Sequence, residues 1–180
     1  VSAYCDLLLK NADLKDGFNV VVPTGNFGNI LAAYYAKKMG VPINRLICAS
    51  NSNNVLTDFI RTGVYDRNRK FYTTVSPSMD ILISSSLVRL LYITLGSEKC
   101  SGYMKELAEC GKYELSEEDF ALIRRDFRGF CTDEAGTGKT IKELYENKNC
   151  LIDTHTAVAI NATERFMNDS KAERKIIAVS

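Results

Sequence analysis

The 180-residue chain has a single histidine, which excludes any site built on two imidazoles. With three prolines and eleven glycines it has no Pro-, Gly- or Ser-rich linker. No internal repeat or low-complexity stretch divides it either, so one domain is expected. Charge of one sign is also lacking: 23 Lys+Arg stand against 22 Asp+Glu, and the net charge of +1 offers no basic field for nucleic acid. No apolar run approaches the roughly 20 residues of a membrane-spanning helix, and the first residues do not read as a secretory signal. The six cysteines, at 5, 48, 100, 110, 131 and 150, form no C-x-x-C pair. They predict neither a metal cluster nor a disulfide framework, but reduced and mostly buried thiols in a cytoplasmic protein.

What is present is ordinary for a soluble globular chain, at 46% hydrophobic and 25% charged residues. Apolar patterning predicts a helix over residues 1–9, a strand over 18–22, a helix over 29–39, a strand over 45–50 and a helix over 55–61. Residues 72–75 read as a short strand and 79–95 as one long apolar helix, buried on much of its surface. Further helices are expected over 101–110, 116–127, 138–147 and 156–168, before a strand over 175–179. Strands separated by helices imply parallel pairing with right-handed crossovers. The fold class is therefore α/β, a three-layer helix–sheet–helix sandwich with a mainly parallel sheet. A helix pattern begins without a capping residue at Val1, and a core strand runs up to Ser180. Both features suggest a segment of a longer protein.

The most informative stretch is Pro23-Thr24-Gly25-Asn26-Phe27-Gly28-Asn29, between the apolar strand and the helix that follows. Two glycines at a strand-to-helix junction allow a tight turn that gathers several N–H groups. The helix adds its unpaired N–H groups and a partial positive charge of roughly half an elementary unit. The amides of Asn26 and Asn29 can donate to an anion without bringing charge. The corner suits a phosphate group, although a turn of this kind can also bind nothing. It has neither G-x-G-x-x-G spacing nor the Gly-Lys-Ser/Thr ending of a Walker loop.

Three other groups carry residues suited to chemistry. Gly138-Lys139-Thr140 fits the end of a Walker loop, but Asp133 stands where glycine is required and no apolar strand is evident before it, so a capped helix start is expected. His155, in Asp153-Thr154-His155-Thr156, begins a helix, where it can either reach a site or simply hydrogen-bond to the backbone. Glu117-Glu118-Asp119 reads as a solvated helix start rather than a catalytic carboxylate pair.

Several separated segments, in order, resemble threonine synthase. They are Val22-Pro23-Thr24-Gly25-Asn26-Phe27-Gly28-Asn29-Ile30-Leu31-Ala32, Ala49-Ser50-Asn51-Ser52-Asn53-Asn54, Phe59-Ile60-Arg61-Thr62-Gly63-Val64-Tyr65, Ser76-Pro77-Ser78-Met79-Asp80 and Asp153-Thr154-His155-Thr156-Ala157. The resemblance spans nearly the whole chain and is weakest from 97 to 150. It implies a pyridoxal 5′-phosphate enzyme of fold type II, with the tryptophan-synthase-β-like fold, that converts O-phospho-L-homoserine and water to L-threonine and phosphate. It also implies that Gly25, Asn26, Phe27, Gly28 and Asn29 cradle the cofactor phosphate.

The departures are specific. The family's Schiff-base lysine lies in a Phe-Lys-Asp-type motif that has no counterpart here. Ser86 and Val88 stand where the family more often has Asn and Glu. The segment that faces the pyridine nitrogen is not completed before Ser180. The resemblance therefore implies one incomplete segment, 1–180, of the large cofactor-binding domain, inactive alone and prone to self-association through exposed sheet edges. The alternative is a non-catalytic α/β module that uses the same corner for a phosphate or a nucleotide.

Overall fold

The computed structural model describes residues 1–170 and 175–179. The chain opens with α1 (Ser2–Lys10), whose Tyr4 stacks on Phe18 at 5.7 Å between ring centroids. After a 3-10 turn come β1 (Phe18–Pro23), α2 (Gly28–Lys38), β2 (Ile43–Ser50), α3 (Val55–Thr62) and the short β3 (Val64–Asp66). A long irregular stretch then leads to α4 (Leu87–Leu95) and α5 (Ser97–Cys110). The series closes with β4 (Lys112–Glu114), α6 (Glu117–Asp126), β5 (Phe127–Cys131), α7 (Glu134–Lys148), α8 (Thr154–Ser170) and β6 (Ile176–Ala178).

The main sheet has the order β5-β2-β1-β6, and every pairing in it is parallel. Side chains alternate across it with period two. Val20, Val22, Leu46 and Cys48 face one core with Ile30, Phe59, Leu90 and Ile123; Val21, Ile47 and Ala49 face another with Val158, Ala162 and Phe166 of α8. Helices therefore cover both faces, and the three-layer α/β sandwich stands. β3 and β4 form a separate antiparallel pair, on which Tyr65 and Tyr113 stack at 5.4 Å.

Several sequence expectations need correction. Residues 72–75 are not a strand, because side chains rather than a neighbouring strand satisfy them. Tyr72 N–H donates to Asn53 Oδ1, Thr74 N–H to Asp80 Oδ2 and Val75 N–H to Glu134 Oε2. The helix expected over 79–95 is confined to Leu87–Leu95, after a 3-10 turn at Pro77–Met79 and a loop over 80–86. Serines 84 and 86 turn the loop to the β1–α2 corner, offering its backbone an alternative to helix. The strand Phe127–Cys131, which sequence patterning missed, follows α6 without an intervening loop. The helices expected from 101 and 138 begin earlier, at Ser97 and Glu134.

The thiols are all free, but only Cys48 and Cys100 are buried, while Cys5, Cys110 and Cys150 are exposed. Burial pushes the Cys48 thiol up to about 12, so it is an inert core group. Asp119 is likewise buried rather than solvated, held by Lys99 Nζ at 2.6 Å and the Tyr103 hydroxyl at 2.8 Å. Among the described residues, no helix is long and apolar enough to cross a membrane, and no group of three His, Cys, Asp or Glu side chains could hold a metal ion.

Candidate functional site

β1 delivers the corner to the C-terminal edge of the sheet. From β1 the chain moves to β2 and β5 on one side, then returns to β6 on the other. Open parallel sheets bind ligands in the crevice created by such a reversal. Thr24 ends the ladder, its N–H donating to Ala49 O at 2.8 Å.

The next residues are pinned from two sides. A Cβ on Gly25 would lie 2.6 Å from the backbone oxygen of Ser78, so only glycine fits against that turn. Phe27 has φ +66°, the left-handed region, at a cost of roughly 1–2 kcal/mol for a residue with a side chain. Its ring, 1% exposed and 5.6 Å from that of Phe127, anchors the loop in the core. α2 consequently starts with no side-chain cap. Among the described residues, none of the six backbone N–H groups from Gly25 to Ile30 has an acceptor, and Leu31 N–H is the first to find one, Phe27 O at 3.0 Å.

Gly28 is different from Gly25. Its backbone is not left-handed, and a Cβ there would meet only Ser86 Oγ at 3.9 Å. Neither conformation nor packing within the chain demands a glycine at this position.

The 80–86 loop braces the corner. Ser84 Oγ donates to Gly25 O at 3.1 Å and Ser86 N–H to Asn26 O at 3.0 Å. Ser85 Oγ donates to Asn26 Oδ1 at 3.4 Å. The Tyr65 hydroxyl holds the loop itself, accepting from Ser84 N–H at 2.9 Å and donating to Leu82 O at 3.0 Å. Sequence reading missed this brace. The serine run 84–86 was its signal, hidden inside an expected helix.

A second polar cluster lies behind the turn at Ser78. Asp80 Oδ1 accepts from the amides of Asn51 at 2.7 Å and Asn53 at 3.0 Å and from the Thr74 hydroxyl at 2.7 Å. Burial pushes the Asp80 carboxyl up, but these hydrogen bonds and that from Thr74 N–H outweigh it and hold it below its ordinary value. The result is a strap, 72–76, tied to the ends of β2, α7 and α8; Thr154 Oγ1 closes the last contact by donating to Val75 O at 2.7 Å.

The corner opens on a cavity of about 350 Å³, lined by Pro23 to Asn29, Ser78, Met79 and His155. All five residues singled out from sequence, Gly25, Asn26, Phe27, Gly28 and Asn29, line it. His155 comes from the start of α8, where Asp153 Oδ1 accepts from the N–H groups of His155 at 2.8 Å and Thr156 at 3.1 Å. The Thr156 hydroxyl and N–H bonds to its carboxylate, with that from His155 N–H, bring Asp153 down to about 2. Among the described residues, the lining contains no lysine or arginine, and His155 is its one ionisable side chain.

The Walker-like residues take no part. A strand, β5, does precede them, contrary to the sequence reading. Yet Asp133 accepts from Gly136 N–H at 2.7 Å, and Lys139 lies inside α7 with Glu143 at 3.6 Å.

No family model matches the chain. Threonine synthase of Saccharomyces cerevisiae is 41% identical to it over 162 residues, which cover 82% of this chain and 32% of that protein. Human threonine synthase-like 1 is 40% identical over 171 residues, 93% of this chain and 23% of that protein. The crystal structure of pyridoxal-phosphate-bound threonine synthase from Brucella melitensis superimposes with a TM-score of 0.88 at 31% identity, covering 99% of this chain and 38% of that one. The chain thus spans at most about a third of the length of these curated relatives.

Proposed function

This chain corresponds to a segment of threonine synthase, and from that premise we propose that its glycine corner holds the phosphate of pyridoxal 5′-phosphate. The observation that carries the proposal is the run of N–H groups from Gly25 to Asn29, without acceptors among the described residues, in segments that line the 350 Å³ cavity. Phosphate would give those donors, and the positive end of α2, the anionic partner that the protein withholds. Gly28 supports the same reading, because what would exclude a side chain there is the occupant of the cavity rather than the chain. The amides of Asn26 and Asn29 would add neutral donors at the rim, and among the described residues no carboxylate in the lining opposes an anion.

The overall activity we assign is that of a pyridoxal-phosphate-dependent carbon–oxygen lyase, which converts O-phospho-L-homoserine and water to L-threonine and phosphate. When bound, the cofactor supplies an electron sink for carbanion chemistry. This chain's part would be to fix the cofactor by its phosphate at the Gly25–Asn29 wall of the cavity. Among the described residues no lysine lines the cavity, so the 180 residues alone are expected to bind without turnover. The reactive lysine would come from sequence outside them.

Calorimetric titration with pyridoxal phosphate and with phosphate-free pyridoxal tests this. The phosphate ester should bind at least about tenfold more tightly, as several charge-assisted hydrogen bonds require. Gly28→Val should abolish that preference while the chain stays folded. Equal affinities for the two compounds would sink the assignment, and phosphate released from O-phosphohomoserine above a no-protein control would overturn the expected inactivity.

A further inference from the structure

The 80–86 loop holds the corner from a side that is not the cavity's. Gly25, Asn26 and Phe27 line the cavity and, among the described residues, none from 80 to 86 does. From there the loop takes two consecutive carbonyls of the corner, Gly25 O through Ser84 Oγ at 3.1 Å and Asn26 O through Ser86 N–H at 3.0 Å. A trans peptide is planar, with its N–H pointing opposite to its C=O. No peptide among the described residues is cis. Holding Gly25 O against the loop therefore turns Asn26 N–H away from the loop, and holding Asn26 O does the same for Phe27 N–H. Neither N–H has an acceptor among the described residues.

One hydroxyl fixes the loop in turn. Tyr65 Oη accepts from Ser84 N–H at 2.9 Å and donates to Leu82 O at 3.0 Å. Its ring is 1% exposed, stacked on Tyr113 at 5.4 Å and met edge-on by Phe59 at 5.8 Å, so the hydroxyl is a fixed point. Burial pushes that hydroxyl above its ordinary value, which keeps the proton donated to Leu82 O in place. Ser84 is thus held at its N–H by Tyr65 and holds Gly25 with its side chain.

Resting on the phosphate-cradle reading above, we propose that Tyr65 and Ser84 are positioning residues of the anion site: Tyr65 fixes the 80–86 loop, and the loop's bonds to Gly25 O and Asn26 O aim the N–H groups of Asn26 and Phe27 at a phosphate in the cavity.

Neither side chain touches the anion, and both act through the backbone. The bonds to the two carbonyls also polarise their peptides, which strengthens the N–H at the other end as a donor. They hold the approach to Phe27, whose left-handed backbone would otherwise relax and swing the donors apart.

Tyr65→Phe and Ser84→Ala each remove one oxygen and leave the packing shape intact. The folded chain, labelled with ¹⁵N, is titrated with inorganic phosphate while the amide signals of residues 25–29 are followed. In the parent chain all should shift. Ser84→Ala should weaken phosphate roughly fivefold, as loss of one hydrogen bond would, and reduce the saturated shift at Asn26 while Gly28 and Asn29 respond as before. Tyr65→Phe, which frees the whole loop, should reduce it at Asn26 and Phe27 together. Each variant tests Asn26 by itself, so misfolding of one leaves the other to decide. Parent-like affinity and shifts in the folded variants would overturn the positioning roles and leave the cradle standing. An equal loss at all the amides would also overturn them, because it marks general support of the fold. No shift in the parent chain would sink the cradle and this inference with it.

Discussion

After β1 the chain turns through Gly25 and Phe27 into α2; after β5 it turns through Thr132 and Asp133 into α7, whose first turns carry Gly136 and Gly138. Both turns leave a parallel strand, and both bring helix N–H groups to the same edge of the sheet. The α7 start carries a side-chain cap. Asp133 accepts Gly136 N–H at 2.7 Å, and the hydroxyls of Thr137 and Thr140 bond back to Asp133 O and Gly136 O. The α2 start does not, because its N-cap position holds Phe27, whose side chain is spent on the core. A side-chain cap is worth about 1 kcal/mol, and α2 forgoes it while also carrying a left-handed phenylalanine. Glycine count does not separate the two turns, which carry two each. What decides anion capacity is whether the residue ahead of the helix consumes its donors.

The contrast is broken most severely at Phe27. Phe27→Ala removes the anchor that imposes the uncapped geometry and should cost about 3–5 kcal/mol in denaturant unfolding, with loss of pyridoxal phosphate binding. Gly25→Ala comes next. Its Cβ would collide with backbone at Ser78 and Met79, so a loss of about 1–3 kcal/mol is expected, again with loss of binding. Wild-type stability for Gly25→Ala would show that the 77–79 turn yields and that the corner is less rigid than argued. At the other turn, Asp133→Ala should cost about 1 kcal/mol and leave phosphate affinity unchanged. A change in affinity there would erase the distinction between the two turns.

The corner itself was legible because its signal is local: an apolar strand, two glycines and a helix follow one another between Phe18 and Lys38. The parallel sheet followed from strand and helix alternation for the same reason. The rest depends on contacts far apart in sequence. Ser84 braces Gly25 across 59 positions, and the Asn51–Asp80 pair spans 29. Apolar residues on both sides of the 80–86 loop supplied a helical period that the serines' tertiary bonds overrode. β5 was hidden because Phe127-Arg128-Gly129-Phe130-Cys131 continues directly from a helix, with no turn residue to mark the change. His155 could be placed at a helix start from sequence, but its place on the cavity wall is a property of the packed corner alone.

The gentlest probe compares α2 with the helix start it faces across the cavity. α8 begins under Asp153, whose carboxyl is brought to about 2 mainly by the Thr156 hydroxyl and N–H. A carboxyl lowered from about 4 in the unfolded chain contributes its stabilisation above that value and loses it as pH falls through the folded value. Between pH of about 4 and 2, the N–H groups of His155 and Thr156 should therefore lose hydrogen-exchange protection as their acceptor is protonated. Gly28, Asn29 and Ile30 have no carboxylate acceptor to lose, so their protection should stay flat over the same range. The effect is small because Asp153 is largely exposed and its bonds are shared with solvent. Asp153→Asn should remove the acid step from α8 and leave α2 untouched. A matching step at Gly28 would mean that some acid group already occupies the α2 donors, and the corner would not then be open to phosphate.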